Sequence, residues 1–269
     1  MVRIDSDLCE AVIMIARSAG EAIMNVYRGD FDVTQKDDSS PVTAADLAAH
    51  RVITEALERV MPCLPILSEE AADVSWNTRK NWRSYWLVDP LDGTREFIKR
   101  NDEFSVNIAL IDQGIPVLGV IQSPVSGVVW HAVRGGTAFR RSHGEDEPLH
   151  TRAPATSPLR VATSRSFHRP RTEALLSRMG VVEQVSLGSS LKFCRMAEGR
   201  LDVYPRFGPT SEWDTAAGQC ILEAAGGALM PVKSGTSFRY NHREILINTD
   251  FIALGDPSLP WRQWFADEE

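Results

Sequence analysis

Two aspartates three residues apart, Asp89 and Asp92, follow a short apolar run and are the residues most suited to chemistry in this sequence. The segment Asp89-Pro90-Leu91-Asp92-Gly93-Thr94 has the composition of a tight turn. Such a turn can aim both carboxylates and the Leu91 carbonyl into one small volume, which hard, oxygen-seeking cations require. The alternative is an exposed turn in which each Asp only accepts from backbone N–H groups, and this segment alone favours the two interpretations about equally.

Four more acidic residues lie where they could join such a site. Glu69 and Glu70 follow an apolar pair at a predicted strand end, and adjacent side chains on a strand point to opposite faces. We therefore expect Glu69 or Glu70, but not both, to be a direct ligand, with a solvated acidic turn as the alternative. Asp214, near the start of a predicted helix, and Asp46, three residues after Thr43, are each also explained by helix capping alone.

The elements that must position these acids can be predicted from periodicity. Apolar residues at steps of three and four predict an amphipathic helix over residues 8–26 and a second helix that begins after Thr43 and ends before Pro62. Alternating patterns and turn residues then predict a series of antiparallel strands. These strands are expected over residues 86–88, 104–110, 117–121 and 128–133.

The second half of the chain has a different organisation. Residues 142–158 are rich in charge, Pro, Ser and Thr and show no periodicity. Beyond them the pattern predicts strands over 161–163, 181–187 and 201–204, and helices over 171–179, 191–197 and 213–225. This alternation is typical of an α/β layer. We therefore expect an N-terminal α+β subdomain, residues 1–150, with most of the candidate metal ligands, and a C-terminal α/β subdomain, residues 151–269.

Composition and charge narrow the classes of function. The chain has 269 residues, 43% of them hydrophobic, and a formal net charge of −7, so no global basic field attracts polymeric nucleic acid. No run reaches the roughly 18 apolar residues of a membrane helix. The four cysteines are far apart and form no CxxC pair, which predicts reduced, mostly buried thiols in a cytosolic protein.

Four separated segments, in this order, resemble the signature set of the inositol monophosphatase superfamily. They are Pro41-Val42-Thr43-Ala44-Ala45-Asp46, Leu67-Ser68-Glu69-Glu70, Trp86-Leu87-Val88-Asp89-Pro90-Leu91-Asp92-Gly93-Thr94 and Trp213-Asp214-Thr215-Ala216-Ala217-Gly218. The resemblance covers most of the chain. It implies an α/β (α+β) fold, a layered αβαβα sandwich of the inositol monophosphatase/fructose-1,6-bisphosphatase type.

Three further stretches resemble the CysQ-type branch of that superfamily, the 3′(2′),5′-bisphosphate nucleotidases. They are residues 94–100, 188–194 and 204–210; Arg95 departs from the pattern, which more often has Lys there. The branch implies Mg²⁺-dependent hydrolysis of adenosine 3′,5′-bisphosphate to AMP and phosphate, inhibition by Li⁺, and a role in sulfate assimilation and recycling of the bisphosphate. The alternative is an inositol monophosphatase or related sugar-phosphate phosphatase of the same fold. A silent binding module is disfavoured, since every metal-ligand position carries an acid.

The resemblance also implies roles for individual residues. Two or more Mg²⁺ ions would be held by Glu69, Asp89, the Leu91 carbonyl, Asp92 and Asp214. The catalytic residues would be Glu69, Thr94 and Asp46, the last two as a proton relay that activates a water. Substrate would contact Glu69, Leu91, Asp92, Gly93, Thr94, Asp214, Gly188, Ser189 and Lys192. Glu70 would lie behind the ligands, and a solvated helix lysine is the alternative for Lys192. The pair Ser164-Arg165 is a further candidate for the second phosphate.

Partner and location follow from the same observations. A small-molecule nucleotide bisphosphate is the expected partner, and the protein is expected to be a monomer or a homodimer without a transmembrane segment. The cytoplasm is the expected location. Proteins of this branch are also assigned to the inner face of the bacterial inner membrane, but the acidic chain has no basic amphipathic anchor that would explain such attachment. Residues 251–269 match no pattern that we can interpret.

Overall fold

Two amphipathic helices form the first layer of the fold. In this computed structural model, which describes residues 4–29, 33–35, 41–164, 170–234 and 236–265, they are α1 (Ser6–Tyr27) and α2 (Ala44–Val60). Asp5 begins α1 by accepting from the Leu8 N–H group, and Thr43 begins α2 in a reciprocal capping box with Asp46. Both predicted helices are therefore confirmed. The short strands β1 (Val33–Gln35) and β2 (Pro41–Thr43) pair ahead of α2.

A seven-stranded sheet forms the second layer, in chain order from edge to edge. Its strands are β3 (Ile66–Ser68), β4 (Ser84–Asp92), β5 (Ser105–Asp112), β6 (Ile115–Gln122), β7 (Val129–Val133), β8 (Ala138–Ser142) and β9 (Glu145–Leu149). Only β3 and β4 pair in parallel; the remaining neighbours are antiparallel. Apolar side chains of α1 and α2 pack on one face of this sheet, for example Ile23 and Ile53 against Val88 and Val106.

A smaller mixed sheet of five strands forms the fourth layer. The strands are β10 (Leu159–Ser164), β11 (Val182–Leu187), β12 (Val203–Arg206), β13 (Ala228–Pro231) and β14 (Phe251–Leu254), and their order in the sheet is β11-β10-β12-β14-β13. The helices of this half and the two short helices before it are α3 (Trp76–Arg79), α4 (Thr94–Ile98), α5 (Pro170–Met179), α6 (Leu191–Ala197) and α7 (Ala216–Ala224).

Helices α6 and α7 lie between the two sheets. Phe193 of α6 and Ile221 of α7 share one core with Leu87 and Ile121 of the large sheet and with Phe251 of the small sheet. On the outer face of the small sheet, α5 and the 3₁₀ helix Trp261–Phe265 pack in a further core. The five layers are thus α, β, α, β and α, which confirms the predicted sandwich.

Several predicted boundaries were wrong, each for a physical reason. Strand β4 does not end at Val88 but continues to Asp92, because its outer residues still pair with β5. The segment 142–158 contains β9, an exposed edge strand without the alternation that a buried face imposes. The helix predicted over 213–225 is divided into a 3₁₀ turn, Glu212–Asp214, and α7. The short strands β8, β13 and β14 were not predicted.

Three further expectations concern the chain as a whole. Within the described residues, none of the helices combines the length and the apolar content that crossing a bilayer demands. All four cysteines are free thiols; Cys194 and Cys220 are buried, but Cys63 is exposed, so the expectation of mostly buried thiols was only half right. The subdomain boundary near residue 150 stays a prediction, and Arg165 and residues 266–269 lie outside the described residues.

We predict that Gly119→Ala destabilises the fold, because β6 and α7 touch at this position. A β-carbon on Gly119 would lie 2.6 Å from the Ala217 carbonyl oxygen and 2.8 Å from the Cys220 β-carbon. Overpacking of this kind costs about 1–3 kcal/mol. Urea denaturation should show the loss, whereas Gly29→Ala, where the nearest atom is 3.7 Å away, should change the free energy of unfolding by less than about 0.5 kcal/mol. Equal stability of both variants would contradict the close packing.

Candidate active site

A register shift in β4 brings Asp89 and Asp92 to one cavity. Residues three apart on a regular strand point to opposite faces, but the pairing of β4 with β5 is irregular between these two positions. As a result, ligand atoms of Asp89, Asp92 and Asp214 all lie within 4.8 Å of one another. Asp89 is buried and accepts from the Leu91 N–H group at 3.1 Å, while Asp92 and Asp214 are half-buried.

Glu69 and Asp214 reach the cavity from two 3₁₀ turns. Strand β3 runs parallel to β4 with Ser68 opposite Val88, so the residue after Ser68 is placed beside Asp89. Glu69 lines the cavity and Glu70 is not among its lining residues. Both acids lie in a 3₁₀ turn and not on a strand, so the strand argument for choosing between them does not apply. Asp214 is held by the Ser211 N–H group, which donates to its Oδ2 at 2.9 Å.

The proximity of several carboxyl groups makes it unfavourable for each of them to be ionised. Burial raises the pKa of the Asp89 carboxyl well above its ordinary value, and the carboxylates of Glu69 and Asp92 raise it further. Burial likewise raises the pKa of Asp214, with Asp92 as the next cause. A divalent cation would remove this penalty, and carboxylate oxygens are the ligands that Mg²⁺ prefers. The donor set therefore fits a metal ion, and Leu91 is among the residues that line the same cavity.

Thr94 and Asp46 meet beside the acidic cluster. The Thr94 hydroxyl donates to Asp46 Oδ1 at 3.2 Å, and the Leu91 carbonyl is a second acceptor at 3.4 Å. The other oxygen of Asp46, Oδ2, accepts from the N–H group and the hydroxyl of Thr43 at 2.8 and 2.7 Å. Gly93 precedes α4 with a φ of 95°, a left-handed conformation that lets the chain turn sharply after Asp92.

Ser190 joins the two halves of the site, a role that the sequence did not reveal. Its N–H group and its hydroxyl both point to Asp92 Oδ2, and its hydroxyl oxygen also lies 2.7 Å from the Asp214 carbonyl oxygen. Asn107 of β5 donates to the same hydroxyl at 2.9 Å and is held by Ser105. The signal was present as a Ser before the predicted helix 191–197, but its partner is 98 residues away in sequence.

The segment before α6 was expected to offer N–H groups to an anion. Two of them already have acceptors within the protein, since Gly188 donates to Glu103 at 2.8 Å and Ser190 donates to Asp92 at 2.6 Å. Gly188 and Ser189 nevertheless line the cavity. The roles of both residues in substrate binding stay predictions.

Lys192 is buried and not solvated, so the alternative interpretation of this lysine was wrong. Its Nζ donates to the Ser189 carbonyl at 2.8 Å and lies 5.2 Å from the centre of the Tyr204 ring. Burial lowers the pKa of Lys192 to about 8, and the guanidinium of Arg206 adds to this lowering against the opposing effect of Asp92. Arg206 lines the same cavity and was not predicted as a site residue.

The whole cavity has a volume of about 530 Å³, enough for a nucleotide-sized ligand. Its lining includes carboxylates supplied by β4 and by the turns that carry Glu69 and Asp214, and Arg95, Lys192 and Arg206 add positive charge. Such a lining suits a substrate with one anionic group to be neutralised by bound cations and a second one to be paired directly with basic side chains.

Comparison with known proteins agrees with this geometry. The profile of the Inositol monophosphatase family matches residues 5–258. The 3′(2′),5′-bisphosphate nucleotidase CysQ of Salmonella typhimurium is 49% identical over 246 residues, which is 91% of this chain and 98% of that protein. The protein of the same name from Escherichia coli strain K12 is 48% identical over the same shares. The crystal structure of CysQ from Bacteroides thetaiotaomicron superposes with a TM-score of 0.81 at 40% identity, covering 92% of this chain and 97% of that one.

The layered sandwich and its acidic cavity define a metal-dependent phosphatase. The chain belongs to the inositol monophosphatase family, as the match over residues 5–258 shows.

We predict that Ser190→Ala weakens cation binding. Without the hydroxyl, Asp92 loses one of its donors and Asn107 loses an acceptor, so the ligands are less well oriented. Loss of such an outer partner typically costs roughly 10- to 100-fold in metal affinity. A titration of phosphatase activity with divalent cation should show this increase in the half-maximal concentration, with kcat restored at saturation. Ser177→Ala, on the exposed side of α5, is the matched control. An unchanged cation dependence would show that Ser190 does not position Asp92.

Proposed function

We propose that the protein is a 3′(2′),5′-bisphosphate nucleotidase that hydrolyses adenosine 3′,5′-bisphosphate to AMP and phosphate with Mg²⁺. The observation that carries the proposal is the shared cavity in which the acidic cluster lies beside Lys192 and Arg206. The names of the relatives at 48–49% identity support the same substrate.

The scissile phosphate is assigned to the acidic side. Glu69, Asp89, Asp92, Asp214 and the Leu91 carbonyl would hold two or more Mg²⁺ ions. Bound there, the ions would supply positive charge to the transferring phosphoryl group and to the leaving oxygen. The protein's own contribution is to fix the ligands in one small volume, through the β4 irregularity and the donors from Ser190 and Ser211.

The proton of the attacking water is assigned to Thr94 and Asp46. Asp46 Oδ2 is occupied by two donors from Thr43, which leaves Oδ1 directed at the Thr94 hydroxyl. Thr94 can accept a proton from water only while it donates its own to Asp46, so the pair acts as one relay. Glu69, which lines the cavity next to Asp89, completes the catalytic set.

The second phosphate is assigned to Lys192 and Arg206. They are two of the three basic side chains that line the cavity, Arg95 being the third. Two cations suit a dianion, and a charge-assisted hydrogen bond contributes about 1.5–3 kcal/mol. Gly188 and Ser189 would border the ribose side of this subsite. An inositol monophosphate has no second phosphate to place there, so the same cavity would bind it less tightly. An inositol or sugar-phosphate phosphatase remains the alternative function because the acidic cluster serves any phosphate monoester.

The cellular setting is part of the proposal. A nucleotidase of this kind would recycle the bisphosphate during sulfate assimilation. Four free thiols agree with the reducing cytoplasm. Inhibition by Li⁺ and the monomeric or homodimeric state stay predictions.

Substrate preference is the direct test. Adenosine 3′,5′-bisphosphate should have a kcat/KM roughly 10- to 150-fold above that of adenosine 3′-monophosphate, which differs only in the second phosphate. Inositol 1-phosphate should be poorer still. Phosphate release with and without Mg²⁺ measures all three. If inositol 1-phosphate equals or exceeds the bisphosphate, the nucleotidase proposal is wrong and the inositol phosphatase alternative replaces it.

We further predict that Lys192→Met raises KM for the bisphosphate about 10-fold or more and leaves adenosine 3′-monophosphate almost unaffected. Met keeps most of the buried volume and removes only the charge. Lys80→Met, on an exposed lysine that donates to Asn77, is the control.

The pH dependence should follow the same residue. Because the pKa of Lys192 is lowered to about 8, the side chain is charged below that pH and becomes neutral above it. KM for the bisphosphate should therefore rise in the native enzyme as pH increases through about 8, and this rise should be absent in Lys192→Met. A parallel rise in both proteins would assign the titration to another group.

A further inference from the structure

A backbone hydrogen bond fixes one side of the turn that carries Asp214. We call residues 210–215 the Asp214 turn. Within it, the Glu212 N–H group donates to the Leu246 carbonyl at 2.9 Å. The segment that contains Leu246 continues to Asn248, which is buried. The backbone thus brings Asn248 to the Asp214 turn, where its side chain makes further contacts.

The side-chain amide of Asn248 donates to the Asp214 turn. Its Nδ2 lies 2.7 Å from the Ser211 carbonyl oxygen, 3.2 Å from the Thr210 hydroxyl oxygen and 3.1 Å from the Thr215 hydroxyl oxygen. A carbonyl oxygen can only accept, so the NH₂ group must face Ser211 and the orientation of the amide is determined. All three partners line the cavity of the acidic cluster, whereas Asn248 is not among its lining residues. The amide therefore acts from behind the cavity wall.

The backbone of Asn248 also reaches Asp214 through one peptide unit. The Asn248 N–H group donates to the Thr210 carbonyl at 2.7 Å. The same peptide unit carries the Ser211 N–H group, which donates to Asp214 Oδ2 at 2.9 Å. A peptide group that accepts at its oxygen becomes a stronger donor at its nitrogen. The Asp214 carboxylate is thus held by a chain of hydrogen bonds that begins at Asn248.

This arrangement leaves one buried atom of Asn248 without a partner. Among the residues that the structure describes, no donor reaches its Oδ1 atom. An unpaired buried oxygen is unfavourable. A leucine has a similar branched shape and no such oxygen, but it lacks the N–H groups that Ser211 and Thr215 accept. The donors are therefore what the asparagine adds at this position.

We propose that Asn248 is a positioning residue for the metal site and that it acts through Asp214. Ligand atoms of Asp89, Asp92 and Asp214 lie within 4.8 Å of one another, and of these three only Asp214 comes from the second half of the chain. Because the carboxylates repel one another, the Asp214 turn must be held in place. Without the amide, Asp214 should move away from the cluster, and a cation that needs all three carboxylates should bind less tightly. The proposal concerns cation binding and does not depend on which phosphate ester is hydrolysed.

Binding of Mn²⁺ to the full chain without substrate tests the proposal, with free Mn²⁺ measured by electron paramagnetic resonance. Mn²⁺ takes the same kinds of oxygen ligand as Mg²⁺. Asn248→Leu keeps the branched shape and removes the donors. It should raise the half-saturation concentration of Mn²⁺ about 10-fold, as expected for a group that orients a metal ligand. At saturating Mg²⁺, the KM of the phosphatase reaction should stay close to the native value. If Asn248→Leu does not fold, Asn248→Ala removes the same donors without adding bulk.

Gln122→Met is the matched control for the loss of a buried amide. Gln122 is also buried, its Nε2 donates to the Ser123 carbonyl at 3.1 Å, and its Oε1 has no donor within the described part of the chain. It does not line the cavity of the acidic cluster. This variant should leave the half-saturation concentration of Mn²⁺ unchanged, whatever its effect on the melting temperature. An equal rise in both variants, or no rise in Asn248→Leu, would overturn the proposal.

A double variant separates an effect through Asp214 from a general loosening of the site. Asp214→Asn removes the charge through which Asn248 is proposed to act. If the two residues form one unit, their effects are not additive, and adding Asn248→Leu to Asp214→Asn should change the half-saturation concentration of Mn²⁺ by less than about 2-fold. A further rise of about 10-fold in the double variant would show that Asn248 acts on other ligands and would overturn the proposal.

Discussion

Mutual repulsion among carboxylates is the constraint on which the rest of this structure depends. Asp89, Asp92 and Asp214 converge within 4.8 Å, and Glu69 adds to the same field. Such a cluster is unfavourable for the protein alone. It persists because each carboxylate accepts a hydrogen bond from a backbone N–H group. Leu91 donates to Asp89, Ser190 donates to Asp92 and Ser211 donates to Asp214. The fold therefore maintains a site of negative charge that a cation can relieve.

Much of the fold could be predicted because the relevant signals are local. The capping box at Thr43, which begins α2, and the apolar stripe of α1 each depend on a few neighbouring residues. The structure contains both helices. The failures also have local causes. Strand β9 lies at the edge of the sheet and β8 next to it; the side chains of β9 are mostly exposed and those of β8 mostly half-buried, so neither strand shows an alternation to detect. The split between the 3₁₀ turn of Asp214 and α7 depends on a cap at Ser211 that periodicity cannot show.

The candidate site was accessible to sequence reasoning only through its motifs. The acids Glu69, Asp89 and Asp92 are each near a predicted strand end, but nothing local brings them to Asp214, more than a hundred residues later. The bonds from Ser190 to Asp92 were not predicted because they join different elements, and the place of Arg206 in the cavity was not predicted either. The irregularity of β4 is likewise a property of the pairing with β5 and not of β4 alone.

The acidic cavity lies between layers, and this has a thermodynamic consequence. Asp89 and Asp92 belong to the large sheet and Glu69 to the 3₁₀ turn that follows its strand β3, whereas Asp214 belongs to the turn that leads into α7. A cation that touches both sets can bind only when the sandwich is assembled, so occupancy and assembly are linked by mass action. The metal ion would then act as a reversible cross-link between the two halves of the sandwich, and the supply of cation would set the melting temperature as well as the rate of hydrolysis.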